Sequence, residues 1–188
     1  MIKYRLSWDC LQETYPADRQ NRRIPVMKTL IVYYSLEGNT DYAASKIAER
    51  IGADKLRLVP KDAYKDKGFA KFFYGGKSAI MKEIPALETY NVDLSGYDRI
   101  IFGFPVWAGN FTPPLRTFIL DQKDALKGKR FSAFACMAGS GGSKAISKLA
   151  GFLKIKSFDE TAVFIDPKTR ENADNDIKID SFCEMIVR

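Results

Sequence analysis

The chain alternates between two hydrophobic periods from Met27 onward. "TLIVYYS" (29–35) is an almost unbroken apolar run, the pattern of a strand buried on both faces. "NTDYAASKIAERIG" (39–52) places Tyr42, Ala43, Ile47, Ala48 and Ile51 at helical spacing and ends on Gly52, a residue suited to a helix C-cap. "KLRLV" (55–59) alternates like a short strand. "DRIIFGFP" (98–105) and "RFSAFACM" (130–137) are two further buried strands, and "ETAVFID" (160–166) is the last. Helices are predicted over 113–122, opened by two prolines, over 143–154 and over 175–187. Residues 1–26 carry Pro16 and Pro25, show no period, and read as a disordered N-terminal extension to a compact domain over 27–188.

Strands and helices in strict alternation, with apolar strands, predict an α/β fold, a parallel sheet covered by helices on both faces. In such sheets ligands bind beyond the carboxyl ends of the strands, where the strand order reverses. Three loops fall at those ends and are chemically unusual: "SLEGNT" after the first strand, "PVWAGNFTP" after the third and "AGSGG" after the fourth.

"SLEGNT" contains no lysine or arginine. An anion can still sit there, because the first amides of a helix are unpaired and the helix dipole adds roughly half a positive charge. Ser35, Asn39 and Thr40 add neutral donors, and Gly38 permits a tight turn. The same residues also read as a plain N-cap. In the second loop Trp107 fits neither a strand nor a helix period. It can stack on a planar heterocycle, with Gly109 letting backbone approach the ring edge, or it can lid its own loop. "AGSGG" offers backbone to a planar ligand's edge, or is a simple turn.

Composition narrows the chemistry. There is no histidine, which excludes Ser–His, Cys–His and His-metal mechanisms. Three cysteines (Cys10, Cys136, Cys183) at wide spacing form neither a disulfide framework nor a zinc pattern, so no metal is expected and a reducing cytoplasm is the default. No apolar run reaches the roughly 20 residues of a membrane span. The net charge is +7; the basic cluster "RQNRR" (19–23) is either a nucleic-acid contact or, more simply, a solvated tail, and no recognition module accompanies the interleaved lysines and phenylalanines further on. The segment "YKDKGFAKFFYGGKSAIMKEIPALETY" (64–90) sets Phe69, Phe72 and Phe73 on one helical face. That face either packs on the sheet or forms a mobile flap with a pocket for a quinone or nitroaromatic, its lysines then attracting an anionic donor.

Taken together, the first strand with "SLEGNT", then "GFPVWAG" and "MAGSGGS", resembles the flavodoxin-like family, in particular its small bacterial members with a P-x-W-x-G second loop. The resemblance implies a three-layer α/β/α sandwich around a five-stranded parallel sheet of order 2-1-3-4-5, with FMN at the switch point. It implies that Ser35, Gly38, Asn39 and Thr40 hold the phosphate, with Leu36 and Glu37 contributing backbone. Pro105, Val106, Trp107, Ala108, Gly109 and Asn110 would hold the isoalloxazine, and Ala138, Gly139, Ser140, Gly141 and Gly142 would line its pyrimidine edge. The chain between Met137 and the last strand is too short for the insertion found in long-chain members.

Two departures from the family bear on function. Carrier flavodoxins are acidic, whereas this chain is basic and its three loops hold one carboxylate, Glu37; a less reducing flavin is expected, since nearby negative charge disfavours the reduced anion. The third loop also lacks the usual tyrosine, which leaves one flavin face open. The expected activity is an FMN-dependent oxidoreductase moving electrons from NAD(P)H to a small acceptor such as a quinone. The alternatives are a carrier serving protein redox partners, and a fold that has lost its cofactor and serves as an interaction module. No catalytic acid or base is identifiable.

Overall fold

The computed structural model describes residues 27–62, 83–169 and 173–188. Residues 1–26 and the aromatic stretch 69–73 lie outside the described residues. Five strands, β1 (Thr29–Tyr33), β2 (Asp54–Arg57), β3 (Arg99–Pro105), β4 (Arg130–Met137) and β5 (Thr161–Ile165), form one sheet. Its order is β2-β1-β3-β4-β5, and all four pairings are parallel. Among the described residues the helices are α1 (Asn39–Ile51), α2 (Pro113–Asp121), α3 (Gly142–Leu153) and α4 (Ala173–Val187), with a 3-10 turn at Leu94–Gly96 before β3. The sheet order, the parallel sense and the helical layers agree with the sequence expectation. Element ends differ by one or two residues, as fraying termini do.

The pleat explains the layers. Successive strand side chains point to opposite faces, so Leu30, Val32, Ile100, Phe102, Phe104, Ala133 and Ala135 build one core with α2 and α3. Ile31, Tyr33, Ile101, Phe134, Cys136 and Phe164 build the other with α1 and α4. α1 gives that second core Ala43, Ala44, Ile47 and Ala48, and α4 gives it Ile179, Phe182, Cys183 and Ile186. The edge strands β2 and β5 depart from the buried pattern, β2 most of all. Its Asp54, Lys55 and Arg57 are exposed, as suits an edge strand that must not recruit another chain.

Two buried arginines sit inside this frame. Arg99 opens β3, is 2% exposed, donates to the carbonyl of Ile186 and lies 3.7 Å from the Asp159 carboxylate. It thereby ties the end of α4 to the sheet. Arg116 of α2 lies between the rings of Phe111 and Phe152, 4.6 and 4.5 Å from their centroids. Burial lowers the pKa of both guanidinium groups. An arginine remains charged regardless, so Arg116 relies on the two π faces for favourable contact.

Candidate functional site

Order reverses between β1 and β3, and the carboxyl ends there are pinned in sequence. Tyr34 N–H donates to the Gly103 carbonyl at 3.1 Å, Val106 N–H to Cys136 at 2.8 Å and Asp166 N–H to Met137 at 3.0 Å. Each bond carries the sheet ladder one residue into the loop. The loops after β1, β3, β4 and β5 are thus held at a common level. Between them lies a cavity of about 710 Å³ lined by residues of all four.

The first loop is built around Ser35, which is 3% exposed. Its Oγ accepts from the amides of Gly38 and Asp41, both at 3.2 Å, leaving its own O–H to donate elsewhere. Gly38 precedes α1 with φ 95°, a conformation that L side chains rarely adopt. The amides of Asn39 and Thr40 are the first two of α1 and have no intrahelical acceptor. Thr40 is 1% exposed, lines the cavity, and no hydrogen bond of good geometry reaches its Oγ1. The Cys136 thiol beside it is too weak a partner to offset that loss. Tyr33 O–H donates to Asp41 Oδ1 at 2.5 Å, fixing the first turn of α1 to β1; burial first, and then this bond and the charge of Asp41, push the phenol pKa up.

The second loop makes a tight reversal. Trp107 and Asn110 exchange backbone hydrogen bonds of 3.0 and 2.9 Å. The two residues between them, Ala108 (φ 49°) and Gly109 (φ 65°), are left-handed, the signature of a type I′ turn. An alanine in that region is strained, so the turn is held by its surroundings. Asn110 is 7% exposed and its Oδ1 accepts from Phe111 N–H at 3.0 Å. The half-buried indole of Trp107 lines the cavity.

Most of the residues singled out in the sequence converge here. Ser35, Leu36, Glu37, Asn39, Thr40, Pro105, Val106, Trp107, Ala108 and Ala138 line the one cavity. Gly38, Gly109 and Asn110 shape its walls by turning the backbone and do not line it. The third loop divides. Only Ala138 reaches the main cavity, while Gly139, Ser140, Gly141 and Gly142 line an adjoining hollow of about 340 Å³ with Lys144 and Lys178. A Cβ at Gly141 would lie 3.3 Å from Cα of Gly109, so the second and third loops touch backbone to backbone.

Four lining residues were absent from the sequence reading: Cys136, Met137, Asp166 and Thr169. The last two belong to the loop after β5, whose "DPKT" carries no glycine-rich or aromatic signal. The first loop has no lysine or arginine of its own, yet two cations reach it from other elements. Arg57 Nη2 donates to the Ser35 carbonyl at 3.1 Å. The Lys168 amide donates to Asn39 Oδ1 at 2.9 Å, and its side chain lies over Gly38. Arg57 arrives from β2 and Lys168 from the loop after β5. Asp166 likewise adds a second carboxylate to the site besides Glu37.

Burial pushes the Cys136 thiol up to about 12, with the Thr40 hydroxyl opposing and the Asp166 charge adding to the rise. The thiol is therefore neutral and a poor nucleophile. Among the described residues no group of three or more His, Cys, Asp or Glu gathers to hold a metal. No helix among them is long and apolar enough to cross a membrane.

The arrangement defines a doubly wound α/β protein with a cavity at its switch point, lined by Ser35, Asn39 and Thr40 from the first loop and by the indole of Trp107 from the second. Residues 28–177 match the family described as Flavodoxin, and the chain belongs to that family. Among solved structures it is similar to a flavoprotein from Lactobacillus acidophilus NCFM determined in complex with FMN, at 23% identity and a TM-score of 0.66, covering 83% of this chain and 98% of that one. A candidate flavoprotein from Bacteroides eggerthii shares 22% identity with a TM-score of 0.67, covering 86% and 98%. The flavodoxin of Streptococcus pneumoniae TIGR4 shares 17% identity with a TM-score of 0.51, covering 84% and 96%. At these identities the likeness speaks for the fold.

Proposed function

We propose that this chain binds FMN in the cavity at its switch point and acts as an oxidoreductase, passing electrons from NAD(P)H to a small acceptor such as a quinone. The observation that carries the cofactor is Thr40. A buried hydroxyl with no partner better than the weak Cys136 thiol, beside two free helix amides and the Ser35 O–H, is a donor set in want of an anion. The phosphate end of FMN supplies one. At the other end Trp107 offers a flat indole to the isoalloxazine, and Pro105, Val106 and Ala108 present backbone at its edge. The volume of about 710 Å³ falls within the range of small-molecule sites.

When bound, FMN supplies one- and two-electron redox chemistry on its ring system. The protein's own part is position and field. Ser35, Asn39 and Thr40 fix the tail, and Trp107 shields one side of the ring and excludes water there. Ala138, exposed and small, leaves the third-loop side accessible to a second small molecule, which favours an enzyme. The family itself favours a second reading, a carrier between protein redox partners. Glu37 and Asp166 are the carboxylates of the site, and neither is positioned by a recognisable relay, so no catalytic acid or base is assigned.

Anaerobic titration of the FMN-loaded protein with NADPH separates the two readings. Bleaching of the flavin by NADPH within seconds, followed by turnover with a quinone, supports the reductase. Reduction by dithionite alone, with no response to NADPH or NADH, supports the carrier.

A further inference from the structure

We infer that Lys168, from the loop after β5, is the cation that selects the phosphorylated flavin, an inference that rests on FMN occupying the cavity. The main chain of Lys168 is anchored at the site by its N–H to Asn39 Oδ1, at 2.9 Å, between residues 129 positions apart. Its side chain then runs over the turn that opens α1. An ideal Cβ on Gly38 would lie 2.9 Å from Nζ of Lys168 and 3.3 Å from its Cδ. The ammonium therefore sits against the bare α-carbon of the residue that begins the anion-binding turn. A glycine there serves two ends, a left-handed φ and room for the cation.

Charge balance points the same way. The phosphate end already carries the Glu37 carboxylate, and Asp166 lines the cavity. FMN adds a phosphate whose second ionisation falls near pH 6, by analogy with other monoesters. Neutral donors alone would leave that second charge uncompensated. Arg57 is engaged with the Ser35 carbonyl. No described residue takes a hydrogen bond or ion pair from the Lys168 ammonium. Being exposed, it keeps its hydration in the free protein and can approach the phosphate when flavin enters, at little desolvation cost. Thr40, buried and with no hydrogen bond of good geometry at its Oγ1, lines the cavity beside this turn and independently marks where the anion sits.

The test compares two ligands that differ only in the phosphate. FMN and riboflavin are titrated into the flavin-free protein by fluorescence quenching, at low and high salt, for the wild type, Lys168→Met and Lys168→Arg. The main-chain bond to Asn39 survives both substitutions. We expect Lys168→Met to weaken FMN by roughly tenfold, as for a charge-assisted contact at a partly exposed site, with riboflavin unchanged. We also expect the salt dependence of FMN binding to flatten and Lys168→Arg to restore most of the affinity. Equal loss for both flavins would mean a structural role, and unchanged FMN affinity would remove Lys168 from the site; either overturns the inference while leaving the cofactor in place. A wild-type protein that takes up neither flavin would instead overturn the cofactor, and the Lys168 assignment with it.

Discussion

The indole of Trp107 meets the ring of Tyr34 edge to face, with centroids 5.6 Å apart and planes at 82°. Tyr34 is 4% exposed and continues β1 by donating its N–H to the Gly103 carbonyl, so it is a fixed post. Trp107 is held at its backbone by Asn110 and at its ring by Tyr34. An indole so restrained loses little entropy when a planar ligand stacks on it.

That restraint makes Trp107→Ala informative. Aromatic stacking on a heterocycle is worth about 1–3 kcal/mol by truncation. FMN should bind roughly ten- to a hundredfold more weakly in Trp107→Ala, and residual bound flavin should fluoresce more brightly because its quencher is gone. Trp107→Phe should fall between. Unchanged affinity in the alanine variant would exclude stacking.

Gly38→Ala should harm the protein twice. The left-handed conformation costs a non-glycine residue about 1–2 kcal/mol, and the new methyl would press on the Lys168 side chain. Urea denaturation of the flavin-free protein should show a loss of that size. FMN affinity, measured separately on the folded fraction, should drop as well. Gly52→Ala is the control: Gly52 also has positive φ, 65°, but a Cβ there meets nothing within 4 Å. It should lose stability without losing flavin.

The layers of the fold were legible because each signal was local. Leu30 to Tyr33 are all buried and announce themselves as an apolar run. Ala43 and Ile47 repeat at helical spacing. The site was legible where a loop's chemistry was odd, as with Trp107 or the neutral "SLEGNT". It was not legible where ordinary residues become important only by position. Lys168 looks like any surface lysine until parallel pairing of β4 with β5 brings its loop beside Asn39. Cys136 looks like a core residue, and is one, yet it also floors the cavity. Contacts made across more than a hundred residues leave no periodic trace, because tertiary packing decides them.

Gly103 gives a prediction about the sheet. It lies in the middle of β3, paired with Phe134 of β4, and an ideal Cβ on it would fall 2.3 Å from Phe134 Cζ. The ring occupies the space a side chain would take. Gly103→Ala should destabilise by about 3 kcal/mol or more, at the upper end of overpacking costs, unless the sheet shifts. Pairing it with Phe134→Leu should recover part of the loss, although Phe134→Leu alone is itself destabilising. Thermal midpoints of the four proteins in this double-mutant cycle measure the coupling. Additive losses would mean that the ring does not depend on the empty position.

The two buried thiols predict a pH response whose sign is fixed. Burial pushes Cys136 up to about 12 and Cys183 up to about 11, whereas a thiol in the unfolded chain titrates near 8.5. Below that value both states keep the proton, and the thiols add no pH dependence. Above it the unfolded chain loses protons that the native state retains. Stability then falls as pH rises towards the native values. In a Cys10→Ser background, urea midpoints should decline between pH 8.5 and 10.5 more steeply than after further replacement of Cys136 and Cys183 by alanine. At pH 8 the native protein should resist a thiol reagent, and two equivalents should react once urea unfolds it. Native-state labelling of Cys136 at the rate of a free thiol would show that the floor of the cavity is open.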